Sequence, residues 1–262
     1  MSSRCLSLLL CATACFGAGQ RVLRVCADPN NMPFSNQRAE GFENRLAELV
    51  ARELSARVEY TWYAPGRGYL RNSLNAEVCD VVIGVPSALD TVGVTRPYYR
   101  STYVFVSRHP GIQSLNDPRL KSMRIGVQMI AEDYVPPAYA LANNGLSGNV
   151  IGYSSRAPER LVDAVSKGDV DVAVIWGPFG GYFAPKGLDV TPVSPAAYQT
   201  IPFTYEMSMG VRKSDAALKA ELDRIIGAQC GAIQKLLDEF RVPREGKTTC
   251  ESLPGLPSAA LR

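Results

Sequence analysis

Apolar positions recur along the chain with two alternating periods, one typical of strands and one of helices. The runs VLRVCA (22–27), RVEYTW (57–62) and CDVVIG (79–84) are rich in β-branched and aromatic residues and predict buried strands. A helical period between the first two places these residues on one face: Phe42, Leu46, Leu49, Val50 and Leu54. A second helix is predicted at 67–77. The resulting βαβαβ order indicates a parallel sheet flanked by helices.

The same alternation resumes in the second half of the chain. It predicts strands STYVFV (101–106), MRIGVQ (123–128), NVIGY (149–153), VDVAVIW (170–176) and LDVTPVS (188–194). The segment 131–144 reads as a helix interrupted by prolines, and 157–169 as an amphipathic helix. FTYEMSMGVR (203–212) alternates like a strand, and 214–240 predicts one long helix with Ser214 as its N-cap.

This order of elements predicts an α/β fold with two lobes and a discontinuous first lobe. We expect the first lobe at 20–104 and 205–250 and the second at 105–204, with the chain crossing between them near 102–110 and 203–211. The stretch 84–108 joins the end of one strand to a crossing strand, so it predicts both a cleft wall and a hinge. Ligands of such sheets bind beyond the carboxyl ends of the strands.

The two chain ends differ in character from the rest. Arg4 precedes the short apolar run LSLLLCATAC, and the small residues Gly17 and Gly19 offer a cleavage point, so 1–19 predict a signal peptide and a periplasmic protein. Lipid anchoring at Cys15 is the alternative. No second apolar run is long enough for a transmembrane segment. The Pro-, Gly- and Ser-rich residues 251–262 predict a flexible tail.

Composition narrows the classes of partner. The formal charge is only +3, and the basic residues are scattered rather than gathered in a stripe, which argues against nucleic acid. The four cysteines left after signal removal form an even set in an exported chain, which predicts disulfides. A bridge between Cys26 and Cys79 is feasible if their strands are neighbours, and Cys230 and Cys250 bracket a loop of 20 residues. Free thiols at Cys26 and Cys79 are the alternative.

Polar and aromatic residues collect at the predicted strand ends, where they would face a cleft. The loop DPNNMPFSN after the first strand combines short polar side chains with two prolines; its polar residues either point into the cleft or only satisfy their own backbone. Aromatics around a few polar groups suit an apolar or planar ligand, or a segment of a protein partner. The candidate cleft residues are Asp28, Asn30, Asn31, Phe34, Glu43, Trp62, Tyr63, Arg67, Pro86, Tyr98, Tyr99, Gln128, Trp176 and Pro178.

Catalytic chemistry has little basis in the sequence. The single histidine, His109, lies in a predicted loop, and no nucleophile motif, phosphate loop or metal-spaced cluster is present. We therefore expect no catalytic residue, no metal and no cofactor. Glu43 is the one candidate acid for a dehydratase; otherwise it only favours the positive end of its own helix.

Several blocks of the chain resemble a known family. PYY before the crossing strand, IGVQ and GDVDVAVIW are similar to type 2 periplasmic solute-binding proteins. The blocks LRVCADPNNMPFSN, EGFENRLAELVAREL, RGYLRNSLNAEVCDVVIGVP and TRPYYRSTYVFV resemble the binding-protein-like MoxJ/XoxJ group that is encoded with quinoprotein methanol dehydrogenases. In the amino-acid receptors of this fold an arginine and a carboxylate hold the ligand; here those places fall at or beside Ala88 and at Trp176. Arg96, on a different part of the loop, is the alternative source of the arginine.

The resemblance implies an accessory protein that binds a periplasmic quinoprotein dehydrogenase, or a related ligand, in its interlobe cleft. The first alternative is a small-molecule receptor of an ABC importer, which would also dock on a permease. The second alternative is a small periplasmic enzyme such as a dehydratase.

Overall fold

The computed structural model describes residues 20–66, 68–130, 133–246 and 250. Its first strands and helices are β1 (Arg21–Ala27), β2 (Asn30–Asn31), β3 (Ser35–Asn36), α1 (Phe42–Glu53), β4 (Ala56–Trp62), α2 (Tyr69–Asn72), β5 (Val81–Pro86), β6 (Gly93–Val94) and β7 (Tyr99–Ser107). The predicted signal peptide with Cys15, the predicted tail 251–262 and the candidate Arg67 lie outside the described residues.

The chain continues with β8 (Ile125–Ile130), β9 (Asp133–Tyr134), α3 (Pro136–Asn143), β10 (Val150–Ser154), α4 (Pro158–Lys167), β11 (Val172–Trp176), α5 (Gly177–Phe183) and β12 (Asp189–Pro192). It ends with β13 (Ala197–Tyr198), β14 (Ile201–Pro202), β15 (Thr204–Val211), α6 (Ala216–Ala228) and α7 (Cys230–Glu239). In the described part of the chain, every helix is too short or too polar to cross a membrane.

One sheet runs through the molecule in the order β10-β8-β11-β7-β15-β5-β1-β4. The parallel neighbours β5, β1 and β4 form the core of its first half, and β8, β10 and β11 form that of its second half. Strands β7 and β15 pair antiparallel over Tyr99–Thr102 and Thr204–Met207 and join the two halves. The predicted α/β binding-protein fold class is confirmed.

Both predicted disulfides form. Cys26–Cys79 links β1 to the residue two positions before β5, and Cys230–Cys250 closes a shorter loop that begins at the first residue of α7. The parallel pairing of β1 with β5 puts the first two cysteines 5.6 Å apart at their Cα atoms, within the usual range for a disulfide.

Three predicted helices differ from those observed. The helix predicted at 67–77 covers only Tyr69–Asn72, and the Ser73 hydroxyl donates back to the Tyr69 carbonyl where the chain turns toward Cys79. The helix predicted at 214–240 is two helices that meet at Gln229, and Asp215 rather than Ser214 is its first cap. The pair Pro136–Pro137 begins α3 instead of interrupting it, because a helix start has no use for the missing N–H groups.

Candidate functional site

The two halves of the sheet enclose a cleft at the carboxyl ends of their strands. Its outer part, here called the outer cleft, is a cavity of about 500 Å³. The lining comes from the loop after β1, the segment after β4, the end of β5, the second half and the joining strands: Asp28, Pro29, Asn30, Asn31, Ala64, Pro65, Pro86, Tyr103, Gln128, Ser155, Arg156, Trp176, Phe179, Tyr205 and Met207.

Trp176 is the central aromatic of the outer cleft. It ends β11, and its ring meets Tyr103 of β7 and Tyr205 of β15 edge to face, with centroids 5.4 Å and 5.8 Å away. The buried Gln128 side chain fixes this position, since its Oε1 accepts a hydrogen bond of 2.8 Å from the Trp176 backbone N–H. The cleft therefore has a preorganised aromatic wall at the point where the two halves meet.

A second cavity opens from the first into the first half of the sheet. This inner chamber measures about 380 Å³ and shares Asp28, Pro86 and Trp176, among others, with the outer cleft. Its remaining wall comes from β1, β5, α1 and α2: Cys26, Ala27, Phe34, Ser35, Glu43, Tyr69, Leu70, Val82, Gly84, Val85 and Leu89. Apolar groups dominate this wall, and Glu43 and Asp28 are its carboxylates.

Glu43 enters the inner chamber from the first turn of α1. Its Oε1 lies so close to Gly84 of β5 that a Cβ there would stand 2.1 Å from it, so the absence of a side chain at Gly84 makes this position available. Burial raises the pKa of Glu43 to about 8, and the nearby Asp28 carboxylate adds to the rise. Burial also raises the pKa of Asp28, against the opposing effects of the Asn30 amide and Arg156.

The loop after β1 uses only part of its polar capacity on itself. Asp28 Oδ1 accepts from the Asn30 backbone N–H at 2.8 Å, which is the self-satisfying arrangement that the sequence left open. Asn30 and Asn31 nonetheless line the outer cleft. Phe34 is buried and packs on both Phe42 and Phe179, with ring centroids 5.1 Å apart in each pair.

The structure brings eight of the predicted residues to the two cavities: Asp28, Asn30, Asn31, Phe34, Glu43, Pro86, Gln128 and Trp176. The predicted tyrosine pair belongs to the core instead, because Tyr98 and Tyr99 are fully buried and the Tyr98 hydroxyl donates to the Ile83 carbonyl. Pro178 is buried in the first turn of α5.

Trp62 and Tyr63 also lie outside the lining of both cavities. Trp62 stacks on Tyr60 along the edge strand β4, with centroids 4.6 Å apart, and Tyr63 packs beside Tyr69. Arg96 takes no part in the cleft either: its guanidinium reaches Gly227 of α6, and its backbone N–H donates to Asp223. Arg96 therefore does not replace the arginine that binds the ligand carboxylate in the amino-acid receptors.

Tyr103, Tyr205, Phe179 and Arg156 were not predicted. Tyr103 and Tyr205 sit on the two crossing strands, so the alternation of those strands was the signal that could have found them. Arg156 follows β10 by two residues and carries an exposed cation to the rim of the outer cleft.

The family profile of bacterial extracellular solute-binding proteins, family 3, matches residues 23–240. Protein MoxJ of Methylorubrum extorquens is 33% identical over 245 residues, which cover 84% of this chain and 81% of that protein. Protein MoxJ of Paracoccus denitrificans is 25% identical over 243 residues, which cover 84% and 88%. The crystal structure of periplasmic binding protein XoxJ from Methylobacterium extorquens AM1 superposes with a TM-score of 0.71 at 33% identity, covering 86% of this chain and all of that one.

Proposed function

The chain belongs to the bacterial extracellular solute-binding proteins of family 3, and from that premise we propose that it is a periplasmic accessory protein of a quinoprotein methanol or alcohol dehydrogenase. In this proposal the cleft between the two halves engages the dehydrogenase, or a ligand related to it. The protein acts by binding and carries out no reaction of its own.

The observation that carries the proposal is the absence of charge at the two anchor positions, one of which holds an aromatic ring of the cleft wall. A zwitterionic amino acid needs a cation and an anion in fixed positions. At the two anchor positions this chain has Ala88 and Trp176, and Trp176 meets Tyr103 and Tyr205 in the wall of the outer cleft. Such a wall suits the apolar and aromatic anchors that dominate protein interfaces.

Similarity supports the choice of partner. The relatives named MoxJ and the structure named XoxJ align with this chain over more than four fifths of its length. The MoxJ/XoxJ group that the sequence resembles is the one encoded with quinoprotein methanol dehydrogenases.

The test is to recover the mature protein from its own periplasm and to identify both co-purifying proteins and small molecules. We expect a quinoprotein dehydrogenase in stoichiometric amount. A tightly held metabolite with no protein partner would instead make the chain a solute receptor of an importer.

That receptor is the second candidate, and the inner chamber is the observation that favours it. A pocket of about 380 Å³ behind the outer cleft is within the size range of small-molecule sites. A small ligand would stabilise a receptor against unfolding by RT ln(1 + [L]/Kd), whereas a partner-binding groove would be stabilised by the dehydrogenase.

A further inference from the structure

The Glu43 carboxylate is an unused polar group in the wall of a cavity. Among the residues that the structure describes, its oxygens have no hydrogen-bond or ion-pair partner: only burial and the Asp28 charge act on this carboxyl group, and its Oε1 lies against Gly84. The inner chamber extends from it to the outer cleft. A carboxylate in such a place is costly to desolvate unless a ligand supplies what the fold does not.

Within the described ranges, which leave out Arg67, the groups that face Glu43 add no positive charge. The titratable groups that act on it or feel its charge, from each element packed around it, are Asp28 after β1, Tyr60 of β4, Tyr69 of α2, Tyr98 before β7 and Tyr99 of β7. Burial raises the pKa of each of these tyrosines, so they are neutral at physiological pH. Arg156 acts on Asp28 at the cleft rim.

The rest of the chamber wall is apolar and aromatic. The rings of Phe34, Tyr69, Trp176 and Phe179 line it, together with aliphatic side chains such as Leu70 and Leu89. Aromatic faces attract cations, and aliphatic side chains pack against an alkyl chain. The chamber therefore combines two carboxyl groups with aromatic faces and an apolar wall. This combination is complementary to a cation carried on an alkyl chain.

We propose that the inner chamber binds an alkylammonium group, whose cationic head pairs with the Glu43 carboxylate and whose chain lies along the apolar wall. The inference deepens the proposed function by naming the chemistry that enters the cleft. The inference rests on the proposed function only in one respect, the identity of the molecule that carries the ammonium group. That molecule is either a free amine or the dehydrogenase, through a lysine side chain.

Binding of the cation is coupled to the loss of a proton. Because burial raises the pKa of Glu43 to about 8, the carboxyl group of the empty chamber is mostly protonated at pH 7. An ammonium ion selects the ionised form, so its affinity rises about tenfold per pH unit below pH 8 and levels off above it. A neutral ligand that accepts a hydrogen bond from the protonated acid shows the opposite trend.

The test uses the mature protein, n-pentylammonium as the probe and 1-pentanol as its neutral counterpart. Calorimetric titration is carried out between pH 6 and pH 9. We expect pentylammonium to bind with the rising pH profile and with release of a proton below pH 8, and pentanol to bind at least tenfold more weakly. Equal binding of the two probes, or a profile that falls with pH, overturns the proposal.

Variants of α1 locate the effect. Glu43→Gln keeps the shape of the side chain and should abolish both the preference for the ammonium probe and the pH dependence. The matched control Glu48→Gln changes an exposed carboxylate on the same helix and should behave as wild type. Unchanged pentylammonium binding by Glu43→Gln contradicts the assignment, and the wild-type pH profile tests it even if that variant folds poorly.

A second ligand distinguishes the two sources. Nα-acetyl-lysine methylamide presents the same ammonium group on a peptide backbone. Tighter binding of this ligand than of pentylammonium assigns the chamber to a side chain of a protein partner, and the reverse order assigns it to a free amine. Failure of both ligands sinks the inference but leaves the proposed function intact, because that function is tested by recovery of the dehydrogenase.

Discussion

The outer cleft and the inner chamber share a wall but differ in how their polar groups are satisfied. In the outer cleft the buried Gln128 is paired with the Trp176 backbone, and the aromatic rings brace one another. In the inner chamber Glu43 protrudes between apolar side chains, and burial raises its pKa to about 8. The aromatic wall of the outer cleft is braced without an occupant, whereas the inner chamber holds the Glu43 carboxyl group, which has no partner among the described residues.

This difference separates shape from charge. A rigid aromatic wall recognises a partner by fit, and its contribution changes little with pH. A buried carboxylate recognises by charge, and its contribution depends on proton exchange. Changes confined to one cavity should therefore alter one kind of recognition and spare the other.

The largest effect is expected from removing Cys26–Cys79. This disulfide spans 53 residues and its Cys26 lines the inner chamber, while Cys230–Cys250 spans 20 residues and starts at the first residue of α7. Loop-closure entropy predicts a loss of about 4 kcal/mol for a Cys26→Ser/Cys79→Ser variant and about 3 kcal/mol for Cys230→Ser/Cys250→Ser. Urea unfolding measures both, and only the first variant should also weaken pentylammonium binding. Equal effects on binding would contradict the placement of the chamber.

The next effect is on the pH dependence of stability. A carboxyl whose pKa is higher in the folded than in the unfolded chain keeps its proton on folding, so stability falls as pH rises from about 4.5 toward 8. Glu43→Gln should remove this fall, which amounts to at most about 1.4 kcal/mol per pH unit. Thermal unfolding of wild type and variant from pH 5 to pH 8 measures it. A constant difference between the two curves would show that Glu43 does not titrate in this way.

The smallest effect on stability is expected at Gly84. A methyl group there meets the Glu43 carboxylate, which can move away into the chamber. Gly84→Ala should therefore change the free energy of unfolding by less than about 1 kcal/mol, since a strand gains from losing a glycine. Pentylammonium binding should nevertheless weaken several-fold, while dehydrogenase recovery stays at the wild-type level. If Gly84→Ala lowered both pentylammonium binding and dehydrogenase recovery, the two cavities would have to act as a single binding site.

The long strands and the fold class could be predicted from the sequence, because local runs of apolar residues indicate which segments are buried. VLRVCA and VDVAVIW are apolar runs with one charged residue each, and both form strands in the same sheet. The break at Gln229 between α6 and α7 was not predicted, because the helical period of apolar residues continues across it. The Cys26–Cys79 disulfide depended on β1 and β5 being neighbours in the sheet, which they are.

The cleft was harder to predict because it depends on contacts between distant segments. Tyr99 and Tyr103 both lie on the crossing strand β7, and Tyr98 directly precedes it, but only Tyr103 of the three lines the outer cleft. The direction of each ring depends on the pairing of β7 with β15, which no local pattern encodes. Likewise the environment of Glu43 comes from Gly84, 41 positions away along the chain.

The most direct test of the account compares the two tryptophans of the chain as alanine variants in recovery of the dehydrogenase from the periplasm. Trp176 lines the outer cleft, whereas Trp62 stacks on Tyr60 at the sheet edge. The two variants are matched because both lose an indole ring. Since the loss of a large side chain can disturb folding, circular dichroism first checks that both variants fold. We expect at least a tenfold loss of recovered quinoprotein dehydrogenase for Trp176→Ala and near wild-type recovery for Trp62→Ala. Undiminished recovery by Trp176→Ala would contradict the central claim that the aromatic cleft is the docking site.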